Sequence, residues 1–350
     1  MIQQKKREYH KLEAEGSEWE VSTPGCFIGK SNRGIIVRSE GKILNNKPST
    51  ALKHIIIRGE GISLSSNAVN YCMEHSISLD FFNAQGKHYA SLLSPVMMDG
   101  MLWQQQSLMT IDRKALLAGR IILGKMKNHE NLIKYYHKYH KESIGALPEK
   151  YTEVINRIDK CINNVKSYKE NDTEYAHFFV SQEAAAAGAY WEYIRLLLND
   201  DKVDFQKRER LGASDLMNSM LNYGYAILYA RVWKTVLSQK LNPSLSVLHV
   251  PQQGKPTLVY DIVEIFRAQA VDRVVITLIQ KGEPLKMTKN MLSEPTKKIL
   301  VQNILERWNR YEKYRSEEIQ FVEIIRRQVH EIASFISGES ENYKPYIAKW

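Results

Sequence analysis

Short apolar runs separated by turn residues fill the chain between about Val21 and Pro95. The runs are rich in β-branched and aromatic residues, as is typical of strands, and they lie at 35–37, 54–57, 76–82 and 89–93. Glycines and asparagines between the runs indicate turns. One helix interrupts the series, because Ser65 or Ser66 can cap a segment with apolar positions that ends near Glu74. The pattern predicts a small β-sheet domain that includes one helix.

Beyond Pro95 the apolar residues recur three and four positions apart, which is typical of amphipathic helices. This spacing extends over 101–142, 150–167, 176–199, 213–240, 257–281 and 295–337. The start of the chain differs from both patterns, because it mixes charges of both signs and has few apolar residues. We therefore predict an α+β protein in three parts: an N-terminal extension at 1–20, a small β-sheet domain at 21–97 and a larger, all-helical domain at 98–350.

The composition is that of a folded, basic protein. The chain has 350 residues, of which 43% are hydrophobic, and this excludes a disordered or fibrous protein. The net charge of +10 favours an acidic partner, either nucleic acid or a membrane surface. No apolar run is long enough to span a bilayer, and the charged N-terminus excludes a secretory signal. Three distant cysteines, Cys26, Cys72 and Cys161, indicate reduced thiols, so we expect a cytoplasmic protein.

Several common catalytic motifs are missing from the sequence. It contains no G-x-x-x-x-G-K-[ST] loop, no G-x-G-x-x-G loop, no H-E-x-x-H helix and no G-x-S-x-G elbow. These absences argue against chemistry that depends on ATP or on a nicotinamide cofactor.

Four residues of the helical part carry the candidate chemistry: Glu183, His249, Asp261 and Glu264. Carboxylates together with an imidazole can hold Mg²⁺ or Mn²⁺ and leave coordination positions open for phosphate oxygens. Asp261 and Glu264 are three positions apart on a predicted helix, so they share one face of it, and Arg267 continues that row. Together with the basic charge of the chain, this set points toward metal-dependent chemistry on nucleic acid.

Each of these residues also has an ordinary structural explanation. Asp261, Glu264 and Arg267 fit a surface row of ion pairs, and Glu183 fits an early helix position, where negative charge is favourable. The small residues after Glu183 and the aromatic pair that follows them nevertheless predict a buried helix, in which a carboxylate needs a partner. His249, at the end of an apolar run, fits a core histidine. From the residues alone, the metal site is one of two interpretations.

A basic segment precedes these residues in the chain. It runs from Arg113 to Lys141 and interleaves basic residues with tyrosines, among them Arg120, Lys125, Lys127, Lys134, Tyr135, Tyr136, Lys138 and Tyr139. Such a segment can follow the phosphates of a nucleic acid, or it can be a solvated helix face, and the sequence favours neither.

Taken together, these segments resemble the CRISPR-associated integrase family, the metal-dependent endonucleases that insert new spacers during CRISPR adaptation. The resemblance covers most of the chain, from about Thr23 to Trp350. In the β-rich part it rests on HIIIRGEGISLSSNAV at 54–69 and on ISLDFFNAQGK at 77–87. In the helical part it rests on His249 and on the segments 119–132, 182–191, 215–225, 260–267 and 343–350. The order and spacing of these motifs over the whole chain make the resemblance specific.

The resemblance implies a site and a reaction. Glu183, His249 and Glu264 would be the ligands of Mg²⁺ or Mn²⁺, and Asp261 a nearby acidic residue that supports the site or the DNA. Members of the family join the 3′-hydroxyl of a short prespacer DNA to the edge of a repeat by direct transesterification. The same site with water as the nucleophile would give the nuclease activity, and the helical domain would therefore be the catalytic one.

The resemblance also implies partners and a location. We expect a prokaryotic, cytoplasmic protein that forms a homodimer through its β domain and has no membrane partner. It would bind DNA and a small ferredoxin-like CRISPR-associated dimer, and it would work with or without a reverse transcriptase. Tyr260 and Arg267 would contact a base or a phosphate, although core packing explains Tyr260 equally well.

Two other classes of function stay open on the sequence. One is a stand-alone metal-dependent DNA nuclease or a transposon-type integrase, and the other is a non-catalytic DNA-binding scaffold. The transposon relatives carry an added C-terminal domain, which we do not expect after Trp350, and the intact carboxylates and histidine disfavour a scaffold. The segment before about Trp19 exceeds the family's usual start, and its residues do not distinguish a fusion remnant, an interaction segment and a cloning artefact.

Overall fold

The structure is a computed structural model that describes residues 18–83, 88–140, 147–169, 174–198, 203–210 and 212–349. The chain forms two compact units, of which the first ends at Gly100 and the second begins at Met101. The α+β prediction is confirmed, because strands dominate the first unit and helices the second. Among the helices of the described ranges, none is both long enough and apolar enough to cross a bilayer.

The described residues of the first unit form two sheets, one α-helix and two short 3-10 helices, Ser49–Ala51 and Pro95–Met97. Its strands are β1 (Glu18–Val21), β2 (Phe27–Ser31), β3 (Gly34–Ser39), β4 (Lys42–Lys47), β5 (His54–Arg58), β6 (Ser63–Leu64), β7 (Ser78–Phe82) and β8 (His88–Leu92). One sheet has the order β1–β5–β7–β8, with β8 antiparallel to its neighbour and the other pairs parallel. The other has the order β4–β3–β2–β6, in which β2 and β6 are parallel. Helix α1 (Ser66–Glu74) follows Ser65, whose hydroxyl accepts the N–H of Ala68, so the predicted cap is confirmed.

The beginning of the first unit differs from the prediction. Strand β1 starts at Glu18, inside the segment that we predict as an extension, because Glu18, Trp19 and Glu20 pair with β5. The side chain of Trp19 is buried in the core of this unit, which also explains why the strand forms. Residues 1–17 lie outside the described ranges, and the domain limits at 20 and 97 stay predictions.

One apolar core holds the first unit together. It includes residues from both sheets and from α1, among them Ile28, Ile35, Ile55, Cys72 and Leu79. Each of these side chains is at most 1% exposed, so nearly all of its apolar surface is removed from water, which stabilises the fold. The three cysteines are buried free thiols.

Helices build most of the second unit. They are α2 (Gly100–Ser107), α3 (Ile111–His140), α4 (Leu147–Ser167), α5 (Tyr175–Leu197), α6 (Leu216–Ser238), α7 (Thr257–Val263), α8 (Arg273–Gln280), α9 (Glu294–Asn309) and α10 (Phe321–Ser337). A π-helical segment, Ala268–Asp272, lies between α7 and α8. The loop predicted at 199–202 lies outside the described residues.

Two short hairpins correct the prediction that this unit is all-helical. Strands β9 (Met287–Thr288) and β10 (Met291–Leu292) form one, and β11 (Tyr311–Tyr314) and β12 (Glu317–Gln320) form the other. The helical spacing over 295–337 therefore corresponds to two helices, α9 and α10, with the second hairpin between them. The chain leaves α9 at Arg310 in an extended conformation, and Arg315 adopts a φ of 55° at the turn, which no helix accommodates.

Helix α3 connects the elements that surround the candidate site. The Asn128 amide donates to the carbonyl of Ile265 at 2.9 Å and to that of Tyr346 at 3.0 Å, and its oxygen accepts the N–H of Ala348 at 2.9 Å. Asn128 is fully buried, so these bonds replace the water that its amide gives up. One side chain thus joins α3 to the segment after α7 and to the end of the described chain.

Candidate metal and catalytic site

The carboxylates of Glu183 and Glu264 meet at one buried ammonium group, that of Lys125. Glu183 lies on α5, Lys125 on α3, and Glu264 directly follows α7. Lys125 forms one ion pair with Glu183 and a second, of 2.5 Å, with Glu264. The side chains of Lys125 and Glu264 are each 6% exposed, and that of Glu183 is 15% exposed. Two carboxylates that are distant in the sequence are therefore neighbours in the fold.

Arg267 holds the second oxygen of Glu264. Its guanidinium forms an ion pair with Glu264 Oε1 at 2.9 Å, donates to the Tyr229 hydroxyl at 2.5 Å and lies 4.6 Å from the centre of the Tyr225 ring. Burial by itself would raise the pKa of Glu264, but the positive charges of Arg267 and Lys125 lower it to about 2. Glu264 is therefore negatively charged at neutral pH although it is buried.

Asp261 is a fully buried carboxylate that accepts four hydrogen bonds. Its Oδ2 accepts the backbone N–H groups of Val247 and Leu248 at 2.7 and 3.1 Å. Its Oδ1 lies 3.0 Å from the backbone nitrogen of His249 and 2.6 Å from the ring Nδ1 of the same residue. These bonds fasten the loop at 247–249 to α7, so Asp261 positions His249.

The contact with Asp261 decides the tautomer of His249. A carboxylate accepts hydrogen bonds, so the Nδ1 of the ring donates, and the neutral imidazole has its lone pair on Nε2. The His249 side chain is 36% exposed, and its ring lies edge-on to that of Tyr260, with 6.0 Å between the centres. Tyr260 lies edge-on to Tyr229 as well, at 5.4 Å. His249 can therefore use Nε2 as a ligand or as a proton acceptor.

A further buried carboxylate, that of Asp272, ends the π-helical segment. It accepts the hydroxyls of Tyr190 at 3.0 Å and of Tyr225 at 2.6 Å, and the Tyr190 ring stacks on His129 with 4.0 Å between the centres. Burial raises the pKa of Asp272 against the effect of these two hydrogen bonds, and burial lowers the pKa of His129. This polar layer joins the π-helical segment to α3, α5 and α6, and π-helical turns are frequent at functional sites.

The structure brings the four predicted residues together in two pairs. Glu183 and Glu264 share an ammonium group, and His249 is bound to Asp261. When the His249 ring is protonated, its charge also helps to lower the pKa of Glu264, so the two pairs are within electrostatic reach of each other. Within the part of the chain that the structure describes, no three His, Cys, Asp or Glu side chains are arranged to hold a metal ion. The predicted ligand set and the catalytic roles stay predictions.

The site includes residues that the sequence analysis does not assign to it: Lys125, Tyr229 and Asp272. The sequence analysis places Lys125 in the basic segment, whereas it points into the site. A signal for this exists, because Lys125 follows Ile121 by four positions and therefore lies on the apolar face of α3. The other two carry no local signal, since their partners come from other helices.

Helix packing accounts for much of the basic segment. Lys127 and Lys134 both pair with Glu130, at 2.6 Å in the case of Lys127. Tyr136 is buried, and its hydroxyl donates to the carbonyl of Arg273 at 3.2 Å. These contacts favour the structural interpretation for the middle of the segment, whereas Tyr139 is exposed. Lys141 lies outside the described residues.

The burial of the side chains bears on two further expectations. Helix α5 is buried on one face only: Ala186 and Tyr190 are buried, but Ala184 and Gly188 are exposed, so the prediction of a buried helix is correct for half of its surface. Arg267 is bound to Glu264 and Tyr229 inside the protein, and its contact with DNA stays a prediction, as does that of Tyr260.

The sequence matches a known family. The family described as CRISPR associated protein Cas1 matches residues 20–334. A relative from Francisella tularensis subsp. novicida, named CRISPR-associated endonuclease Cas1 1, is 31% identical over 94% of this chain and 98% of its own. A relative of the same name from Archaeoglobus fulgidus is 28% identical over 93% of this chain and 98% of its own.

Solved structures share the fold. A Cas1 protein from Thermotoga maritima has a TM-score of 0.71 at 18% identity and covers 95% of this chain and 100% of its own. A casposase bound to an integration product has a TM-score of 0.72 at 20% identity, over 94% of this chain and 92% of its own. A Cas6-RT-Cas1–Cas2 complex has a TM-score of 0.76 at 18% identity, over 97% of this chain and 37% of the other. With a family match over most of its length and this fold, the chain belongs to the CRISPR-associated Cas1 family.

Proposed function

We propose that this protein is a metal-dependent DNA integrase and endonuclease of CRISPR adaptation. It would join the 3′-hydroxyl ends of prespacer DNA to a CRISPR repeat by transesterification. The observation that supports the proposal most is the convergence of Glu183 and Glu264 on one cation. Membership of the Cas1 family and the endonuclease names of its relatives agree with it.

The donor atoms that these residues offer are of the types that Mg²⁺ and Mn²⁺ prefer. Glu183, Glu264 and the Nε2 atom of His249 would hold the ion, and carboxylate oxygens with one imidazole form a donor set that suits both metals. The ammonium of Lys125 lies where the two carboxylates meet, and a positive charge at this point supports the proposal. When bound, the metal supplies Lewis acidity toward the scissile phosphate and stabilises charge on the attacking and leaving oxygens.

The other residues of the site prepare it for this chemistry. Asp261 fixes the ring and the tautomer of His249, as carboxylates commonly do for a metal-binding histidine. Arg267 binds one oxygen of Glu264 and thereby fixes the direction of the carboxylate. Transesterification exchanges one phosphodiester for another and needs no nucleoside triphosphate, which agrees with the absence of phosphate-binding loops from the sequence.

The substrates and partners are part of the same proposal. The net charge of +10 supports binding to the phosphates of prespacer and repeat DNA. The fold shared with a casposase bound to its integration product and with a Cas6-RT-Cas1–Cas2 complex is consistent with a homodimer that binds a small ferredoxin-like dimer. A reverse transcriptase would be an additional partner in some systems.

A strand-transfer assay tests the proposal. The protein is incubated with a short duplex that has free 3′-hydroxyls and with a supercoiled plasmid that carries a repeat, in Mn²⁺ or in EDTA. We expect the wild type to join DNA in Mn²⁺ but not in EDTA. In Mn²⁺ we expect the rate of joining to fall by a factor on the order of 10² or more in Glu183→Ala, His249→Ala and Glu264→Ala. Glu192→Ala is the control, because Glu192 lies on α5 but pairs with Lys150 and Arg157.

The other outcomes separate the alternatives. Full joining by any one of the three variants would contradict that residue's role as a ligand. Cleavage without joining would support the stand-alone nuclease, and a repeat of the assay with a partner dimer would test whether joining requires it. DNA binding without either activity would support the non-catalytic scaffold.

A further inference from the structure

Lys125 occupies an unusual place for a lysine. Its side chain is 6% exposed and bridges two carboxylates from two other parts of the helical unit, Glu183 and Glu264. The second oxygen of Glu264 is bound by Arg267 at 2.9 Å, so the ammonium is the cation that connects the two carboxylates to each other. Lysine side chains are strongly hydrated and seldom buried, unless an opposite charge compensates for the lost water.

The two carboxylates need a cation between them. Glu264 stays ionised inside the protein, and Glu183 adds a second negative charge at the same point. Without a positive charge the two groups repel each other in surroundings that screen charge poorly. A divalent metal bound by the same two carboxylates at about 2 Å would lie within a few ångström of the ammonium and repel it. One cation at a time can therefore occupy this point.

We propose that Lys125 is a displaceable internal counter-ion that holds Glu183 and Glu264 together in the metal-free protein and leaves its place when the metal binds. The inference rests on the proposed metal ligands, and it assigns to Lys125 a positioning role rather than a catalytic one. The metal competes with the ammonium for the two carboxylates. Lys125 consequently lowers the affinity for metal while it stabilises the metal-free fold.

The test compares Lys125→Met with the wild type in two measurements that need no DNA. Isothermal titration with Mn²⁺ gives the dissociation constant, and thermal unfolding in EDTA and in saturating Mn²⁺ gives the melting temperature. We expect Lys125→Met to bind Mn²⁺ at least about tenfold more tightly, because its site has no competing ammonium. In EDTA we expect it to melt roughly 2–4 °C or more below the wild type, with the gap closing in Mn²⁺.

Lys127→Met is the matched control. Lys127 lies two positions further along α3, and its ammonium pairs with Glu130 rather than with Glu183 or Glu264. We expect this variant to bind Mn²⁺ like the wild type. Unchanged or weaker Mn²⁺ binding by Lys125→Met would overturn the inference and leave the metal site intact. No binding by the wild type and by Lys125→Met alike would overturn the proposed metal ligands as well.

A measurement on the unaltered protein covers the case in which Lys125→Met does not fold. The wild type is labelled briefly with acetic anhydride in EDTA and in Mg²⁺, and the acetylation of individual lysines is quantified by mass spectrometry of its peptides. We expect the labelling of Lys125 to rise several-fold in Mg²⁺, because the displaced ammonium loses its two partners, while that of Lys127 stays constant. Equal labelling of Lys125 in both conditions would overturn the inference.

Discussion

The ring of His249 is bound to the buried carboxylate of Asp261 at 2.6 Å, and the same carboxylate accepts the backbone N–H of His249 at 3.0 Å. Side chain and backbone of one residue are thus fixed by one group. All four hydrogen bonds to Asp261 come from the segment 247–249, so Asp261 holds both the imidazole and the backbone that carries it. The functional consequence is a histidine whose Nε2 atom is preset as an acceptor.

Asp261→Asn should impair this arrangement without a change in size. In asparagine an amide nitrogen, which donates hydrogen bonds, replaces one carboxylate oxygen, which accepts them. It would face other donors, either the backbone N–H groups of Val247 and Leu248 or the Nδ1 of the His249 ring, and could not bond to them. We expect strand transfer to fall by about 10–100-fold and the affinity for Mn²⁺ to fall with it. The strand-transfer assay and a Mn²⁺ titration, each carried out on the wild type and on Asp261→Asn, measure these two effects.

Asp204→Asn provides the control for that substitution. Asp204 is exposed and accepts a hydrogen bond from Gln206 at 2.9 Å, so its exchange should change neither activity nor metal affinity. Wild-type activity and wild-type Mn²⁺ affinity in Asp261→Asn would show that the carboxylate does not position the histidine.

Local signals in the sequence predict the first unit well and the second in part. The cap at Ser65 and the apolar spacing up to Glu74 predict helix α1, because both act within a few residues. The hairpin of β11 and β12 has no such signal: its strands have four residues each, and exposed charged residues such as Lys313 and Glu318 interrupt any alternation. The helical spacing of the segments before and after this hairpin therefore leads to the prediction of helical structure over 295–337.

The candidate site also has a part that local sequence signals predict and a part that they do not. Asp261, Glu264 and Arg267 lie within two helical turns, and their common neighbourhood is predictable from spacing. The contact of Glu183 with Glu264 through Lys125 depends on the packing of three helices, which no sequence period encodes. A resemblance to a family can supply that contact, whereas the residues by themselves cannot.

Arg267→Lys should weaken the site although the charge is conserved. The guanidinium binds Glu264 at 2.9 Å and Tyr229 at 2.5 Å while it stacks on Tyr225, and an ammonium cannot reproduce this planar geometry. We expect a loss of about 1–2 kcal/mol in the free energy of unfolding and at least a tenfold loss of strand transfer. Urea unfolding and the joining assay measure these effects.

Arg326→Lys is the matched comparison for Arg267→Lys. Arg326 pairs with Glu323 on α10 with its side chain 55% exposed, and exposed pairs contribute little. We expect its free energy of unfolding to stay within about 0.5 kcal/mol of the wild type. Equal effects of the two substitutions would contradict the role that we assign to the burial of Arg267.

Glu264 should make the metal-free protein sensitive to acid. Its pKa is lowered from 4.5 to about 2, so the folded state favours the charged form, and the stabilisation is complete above pH 4.5. As the pH falls from 4.5 toward 2, this contribution, on the order of 3 kcal/mol, is lost. In EDTA, the difference in unfolding free energy between the wild type and Glu264→Gln should therefore shrink below pH 4.5. A difference that does not change with pH would contradict the lowered pKa.

Gly224 on α6 allows the π-helical segment to approach closely. A Cβ atom at this position would lie 2.5 Å from Val271 Cγ1 and 3.2 Å from Ile304 Cδ1. Gly224→Ala gains up to about 1 kcal/mol in helix propensity, but a contact of 2.5 Å with a buried valine forces the backbone apart and costs more than that. We expect a net loss of about 1–2 kcal/mol in the free energy of unfolding. A shift of Val271 would also move the next residue, Asp272, which belongs to the polar layer beside the site. We therefore also expect weaker strand transfer.

Gly188→Ala on α5 isolates the contribution of helix propensity. A Cβ atom at Gly188 would meet no atom within 4 Å, so the substitution gains helix propensity without a clash. We expect Gly188→Ala to raise the free energy of unfolding by about 0.5–1 kcal/mol in the urea titration that shows a loss for Gly224→Ala. A gain in both variants would mean that α6 and the π-helical segment can separate at little cost. The close approach at Gly224 would then not be needed to hold the polar layer around Asp272 in place.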